Sequence, residues 1–89
     1  MIITFEDLPK QRFSTTFNEI DYSFELNYNV MYDFWSLDIE TNDFNLYGIK
    51  LVAGIDLVEQ YPQVPFAMKS VGVTDPTRED IKLFKLEVL

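Results

Sequence analysis

The stretch Ile20-Asp21-Tyr22-Ser23-Phe24-Glu25-Leu26-Asn27-Tyr28 decides the fold. Apolar and polar residues alternate through it without a break, and a period of two is the mark of a strand with one buried and one solvated face. Upstream, Phe13, Thr15 and Phe17 alternate with Ser14 and Thr16, and the polar pair Asn18-Glu19 separates the two runs. They read as a β-hairpin, although the turn lacks the Gly that the tightest hairpins prefer. Downstream, beyond a polar turn near 29–33, Trp35, Leu37 and Ile39 share one parity while Ser36, Asp38 and Glu40 share the other. Thr41-Asn42-Asp43 has turn chemistry, since Asn and Asp tolerate left-handed backbone and bond their own main chain. A fourth strand is expected over 44–53, with Gly48 marking a bulge or a close backbone approach. Strands this close in sequence form an antiparallel meander.

The second half of the chain is less regular. Ile55, Val58 and the Leu57–Tyr61 pair fit a short helical or 3₁₀ turn that Pro62 ends. Residues 66–73 return to strand character, and Asp75-Pro76-Thr77 forms a turn in which Thr77 or Asp75 could cap a helical turn through Asp80. The run 81–89 alternates imperfectly. Ile81 and Leu83 share one parity, Phe84, Leu86 and Val88 the other, so either a bulge near Leu83-Phe84 or an edge strand apolar on both faces is required. The expected fold is mainly β: a small antiparallel barrel or sandwich of about six or seven short strands with one short helical turn.

Length allows one domain, 1–89, and its core must be efficient. Eight Phe, five Tyr and one Trp supply large buried areas, and no Cys is present to staple the fold. The expected core is Phe13, Phe17, Tyr22, Phe24, Leu26, Trp35, Leu37, Ile39, Leu51, Phe84 and Leu86. Fifteen acids against seven bases leave a net charge of −8, which speaks against nucleic acid and anionic membrane surfaces as partners. Apolar runs are far shorter than the about 20 residues a spanning helix needs. The opening Met1-Ile2-Ile3-Thr4-Phe5-Glu6-Asp7 lacks the basic region and cleavage site of a signal peptide, so none is expected. Charge is unevenly placed: between Arg12 and Lys50 there are seven acids and no base. A solvated sheet face explains this span, and an acidic surface steering the domain onto a basic partner is compatible with it.

Catalysis has little to stand on. Without His or Cys there is no Ser-His-Asp or Cys-His system and no zinc site of the usual ligands. Gly48, Gly54 and Gly72 do not make a phosphate loop. Asp38 and Glu40 point the same way from one strand, which a glycosidase-like pair would need, but a solvated polar face accounts for them better. The same residues with Asn42 and Asp43 sketch a calcium loop, which would want Gly at Asp43 and Glu at Ile49. No enzyme, cofactor or metal is expected. Trp35 suits a core anchor, and Tyr32, in a turn, is the tyrosine expected to be exposed.

Three segments together resemble a known family. They are Phe34-Trp35-Ser36-Leu37-Asp38-Ile39, then Leu46-Tyr47-Gly48-Ile49-Lys50-Leu51-Val52-Ala53-Gly54-Ile55-Asp56-Leu57, then Asp75-Pro76. They are similar to the baseplate plug family of contractile-tailed bacteriophages, of the myophage or cyanophage type. The opening, a short strand followed by Leu8-Pro9 and a strand from Phe13, is similar too, so the resemblance spans nearly the whole chain. It implies a small β-barrel-like structural domain of the virion, made in the host cytoplasm and seated in the tail baseplate. Hub, spike, tail-tube or other baseplate proteins would be its partners, and it would be oligomeric within the assembly. At the closing strand the family has a Gly and a late aromatic where this chain has Glu79-Asp80-Ile81 and Leu86-Glu87-Val88-Leu89, so no contacts are carried over there.

Two other functions compete. A small acidic phage protein could inhibit or redirect a host protein, which the acid-rich span favours. A carbohydrate-binding module would need coplanar exposed rings, which the alternation disfavours. For a docking role the expected contact residues are Tyr32 and, on the closing run, Ile81, Leu83, Leu86 and Leu89, because a strand apolar on both parities needs a cover for its second face. For the metal reading, neither chelator nor millimolar calcium is expected to move the melting temperature; a rise of several degrees in calcium would establish a site.

Overall fold

The computed structural model describes residues 1–71 and 74–89. The first long alternating run becomes the centre of a four-stranded antiparallel sheet. Its strands are β2 (Lys10–Phe17), β3 (Ile20–Asn29), β4 (Phe34–Glu40) and β5 (Asn45–Lys50), in the order β2-β3-β4-β5. A second, three-stranded antiparallel sheet has the order β1-β7-β6, from β1 (Ile2–Thr4), β6 (Met68–Ser70) and β7 (Lys85–Val88). The sheets face each other as a sandwich rather than a closed barrel, because β1 and β2, the outermost strands on one side, do not pair.

The registers follow the parity of the side chains. Phe24 lies across from Phe13 and Ile39, and Leu26 from Leu37, so inward residues meet inward residues on neighbouring strands. Phe17 and Ile20 flank a two-residue turn in which Asn18 (φ 52°) and Glu19 (φ 65°) are both left-handed. This is the backbone that a tight hairpin demands, adopted here without glycine. Between β4 and β5 the register slips from Leu37↔Ile49 to Ile39↔Leu46, and Gly48 (φ 73°) takes up the extra residue. The bulge read from Gly48 is thus present, and the Asp38 carboxylate accepts the Gly48 N–H at 2.8 Å.

Among the described residues, nineteen hydrophobic side chains drawn from both sheets and the connecting loops are buried together with Pro76, and no polar or charged one is. Of the expected core, Tyr22, Phe24, Leu26, Trp35, Leu37, Ile39, Leu51, Phe84 and Leu86 are buried. Phe13 and Phe17 are half-buried because their strand is at a sheet edge. Rings organise the interior: Phe13 stacks on Phe24 at 5.2 Å, and Phe66 meets Tyr22 edge-on at 5.5 Å.

The second half departs from its sequence reading in several places. The fourth strand stops at Lys50; Leu51 still donates to the Trp35 carbonyl, after which Ala53 N–H turns to the Asp75 carboxylate. Residues 54–61 form successive turns and no helix. The Asp56 carboxylate takes the N–H groups of both Val58 and Met68, at 3.1 and 2.9 Å, and so competes with helical bonding. The strand expected over 66–73 is limited to β6, and Gly72 and Val73 lie outside the described residues. Asp80 bonds back to Thr77 N–H at 2.6 Å, so it is the later residue that closes that turn.

The closing run is not one bulged strand. A 3₁₀ helix, Ile81–Leu83, precedes β7, and its tighter winding changes the parity between Ile81 and Phe84. Strand β7 then alternates cleanly, with Leu86 and Val88 inward and Lys85 and Glu87 outward, and it lies in the middle of its sheet rather than at an edge. Phe24 is 1% exposed at the centre of the larger sheet. Phe24→Ala should therefore cost about 3–5 kcal/mol, a large share of the stability typical of a small domain, seen as a collapse of the melting transition.

Candidate docking surface

The residues that sequence offered for chemistry are engaged in holding the sheet together. Asp38 holds the Gly48 bulge, and Glu40 pairs with Arg12 at 3.4 Å. Glu25 lies directly across from Asp38, a repulsive neighbour, and Lys10 offsets it at 3.3 Å. The base-free span between Arg12 and Lys50 is thus met by bases just outside it, on the same polar outer face. At the turn end of the sheet, the Asp21 carboxylate accepts from Thr16 at 2.6 Å. Burial, and then the charge of Asp43, push the Tyr22 phenol up from its usual range. Among the described residues no group of His, Cys, Asp or Glu is arranged to hold a metal ion.

The expected contact residues divide in the fold. Ile81 and Leu86 are fully buried in this chain's own core, so they present no surface to a partner. Their apolar character is used up in joining the two layers, which is why the closing run reads as apolar on both parities. Leu83 is 80% and Leu89 63% exposed, at opposite ends of β7. Tyr32 is 72% exposed, and it is not alone: Val30 and Met31, at 81% and 80%, precede it on the turn between β3 and β4.

Sequence reading missed Val30 and Met31 because they fall in a polar-flanked turn. The signal was there: a hairpin tip favours Gly, Asn, Asp or Ser, and three consecutive large apolar residues are out of place. The tip is also well anchored. Tyr32 N–H donates to Asn29 Oδ1 at 3.0 Å, and Asp33, at φ 52°, accepts the Tyr28 hydroxyl. The Tyr28 ring packs on Trp35 at 5.1 Å, the Arg78 guanidinium lies over Trp35 at 5.7 Å, and Arg78 reaches Asp7 at 2.5 Å.

A small β-sandwich with a purely apolar interior, carboxylates engaged in its own sheet and a braced apolar tip is a docking module, a structural part of a larger assembly. The chain belongs to the cyanophage baseplate plug family: the family model described as cyanophage baseplate Pam3 plug gp18 matches residues 1–86. No curated protein matches it. It is a structural protein of the phage virion, located in the tail baseplate and made in the host cytoplasm, and the family is not a catalytic one. The reading as an acidic inhibitor of a host protein gains no support from this membership.

The hydrogen bond to Asp33 raises the Tyr28 phenol above the ordinary value of 10.0, with burial adding to it. A raised phenol keeps its proton longer in the folded chain, so this brace is complete at neutral pH and is lost as pH climbs through and beyond that value. Ultraviolet titration should show two tyrosines, Tyr22 and Tyr28, ionising late in the wild type, and Asp33→Asn should bring only Tyr28 back toward the others.

Proposed function

We propose that residues 1–89 act as a single rigid domain that seats in the baseplate by inserting the tip Val30-Met31-Tyr32 into an apolar recess of a hub, spike or tail-tube neighbour. Leu83 and Leu89 supply secondary contacts, and further copies of the chain associate with it. The observation that carries this reading is the exposure of three consecutive large apolar side chains on a braced turn. Exposed apolar clusters mark interaction sites, and a Tyr beside aliphatic neighbours has the makings of a hot spot. Bracing lowers the ordering cost of binding, because the tip is already in one shape. The recess belongs to a protein rather than a lipid surface, since Asp33 flanks the tip and the chain carries a net charge of −8.

Replacing Met31 by Asp puts a charge into the recess without touching the core. Met31→Asp and Tyr32→Ala should leave the melting curve unchanged and reduce the amount of this chain in purified virions at least tenfold, by quantitative mass spectrometry. Wild-type incorporation of both variants would remove the tip from the contact surface.

A further inference from the structure

Four strands stand at the edges of the two sheets, and three are guarded. Strand β1 has only three residues. Strand β5 is bent by the Gly48 bulge and ends in Lys50. Strand β6 is covered by its own chain: Leu57 N–H donates to the Met68 carbonyl at 2.8 Å, Asp56 accepts the Met68 N–H, and Asp56 bridges to Lys69. These are the devices by which edge strands avoid pairing with other chains.

Strand β2 is different. It is eight residues long, the outermost strand of the larger sheet, and its stretch Phe13-Ser14-Thr15-Thr16-Phe17 carries no charge, proline or bulge. Phe17↔Ile20 flanks a two-residue turn and is a hydrogen-bonded pair, so the main-chain groups of Phe17, Thr15, Phe13 and Gln11 are spent on β3. Those of Thr16, Ser14, Arg12 and Lys10 aim at the open side, and among the described residues no other backbone bonds to them there. Below this edge a shallow cleft of ≈ 320 Å³ runs between β1 and β2, with Ile2, Ile3, Phe13 and Thr15 in its walls. Ile2 is 51% exposed.

We infer that β2 is a self-pairing edge, and that a second copy of this chain docks on it antiparallel, β2 against β2. The inference rests on the proposed association of copies and names its surface. Alternating donors and acceptors at strand spacing are satisfied only by another extended backbone, and the charges select which one. Lys10 and Arg12 lie at the start of β2, while Glu19 and Asp21 lie just past its end. An antiparallel copy centred on Ser14 sets Arg12 across from Thr16, the residue bonded to Asp21, and Lys10 across from Asn18, next to Glu19. Each side of the two-fold axis therefore brings two bases toward two acids, beyond the Glu25 and Glu40 that Lys10 and Arg12 touch in their own chain. A surface that complements itself in this way gives a closed, isologous dimer, not an open filament. The two larger sheets become one continuous sheet, and the copy covers Ile2 and the cleft beside it.

The test is the oligomeric state of the purified chain by light scattering and sedimentation, from micromolar to millimolar concentration. The wild type should be a dimer that weakens with salt. Ser14 lies on the exposed outer face of β2, and Ser14→Lys places two like charges beside the axis; it should raise Kd at least tenfold with an unchanged melting curve. Lys10→Glu and Glu19→Lys should each weaken the dimer, and the two combined should restore it, which decides the matter even if Ser14→Lys folds poorly. A chain that stays monomeric throughout overturns both self-association and this surface. A dimer indifferent to all these variants, or a trimer, leaves self-association standing and removes β2 from it. Neither result bears on the tip, whose test is incorporation into virions.

Discussion

Trp35 is the residue on which the two layers depend. It is fully buried on β4, its main-chain carbonyl holds Leu51 at 2.9 Å, and its indole N–H donates to the Thr77 carbonyl at 2.8 Å. Thr77 belongs to the segment that returns from the second half of the chain and leads through the 3₁₀ helix into β7, the middle strand of the smaller sheet. One side chain thereby ties the centre of the larger sheet to the approach of the smaller one. A buried indole needs an acceptor, since leaving its N–H unpaired would cost about 1–3 kcal/mol, and that need sets where the returning loop crosses. The same ring carries Tyr28 and Arg78, so the bracing of the exposed tip begins inside the core.

The interior contains no buried polar or charged side chain among the described residues, and a domain of this size gains from that economy. Beyond the Trp35 indole bond, several carboxylates each hold a specific piece of main chain. Asp38 holds a bulge, Asp56 closes a loop against β6, and Asp80 closes a turn. Asp38, Asp56, Asp75 and Asp80 thus accept main-chain N–H groups, and Asp7, Glu25 and Glu40 partner bases. A net charge of −8 remains, and it gives the chain a sign toward any neighbour in the baseplate.

A plug needs shape more than chemistry. What distinguishes this sandwich is where it leaves its interior-like features outside: an apolar triplet at one turn, and an open backbone edge along β2, uncharged from Phe13 to Phe17. Both would be liabilities in a free monomer, as sites for sticking and for uncontrolled strand pairing. On the proposed function and the proposed self-pairing they are contact features. The two differ in kind, because side chains specify the tip whereas main chain specifies the edge.

The sequence by itself determined the class and the larger sheet. Alternation of period two over 20–28 and 34–40 dictated which side chains face inward, and parity alone chose the centre of the core, Tyr22, Phe24, Leu26, Trp35, Leu37 and Ile39, because a strand has only two faces. It also determined the family, through the order and spacing of short apolar segments. Tertiary structure decided what parity could not. Whether the sheets close into a barrel depends on β1 pairing with β2, a contact between strands whose patterns look the same either way. The run 81–89 read as either a bulged strand or an edge apolar on both sides because Ile81, Phe84, Leu86 and Val88 are all buried; only the 3₁₀ helix between Ile81 and Phe84 lets residues of opposite parity point into one core. Leu83 and Leu89 are therefore exposed where Ile81 and Leu86 are not, a distinction set by local winding and by β7's central place. The tip escaped notice for the opposite reason: turns have no periodicity, and the exposure of Val30, Met31 and Tyr32 follows from what the folded chain leaves uncovered around them.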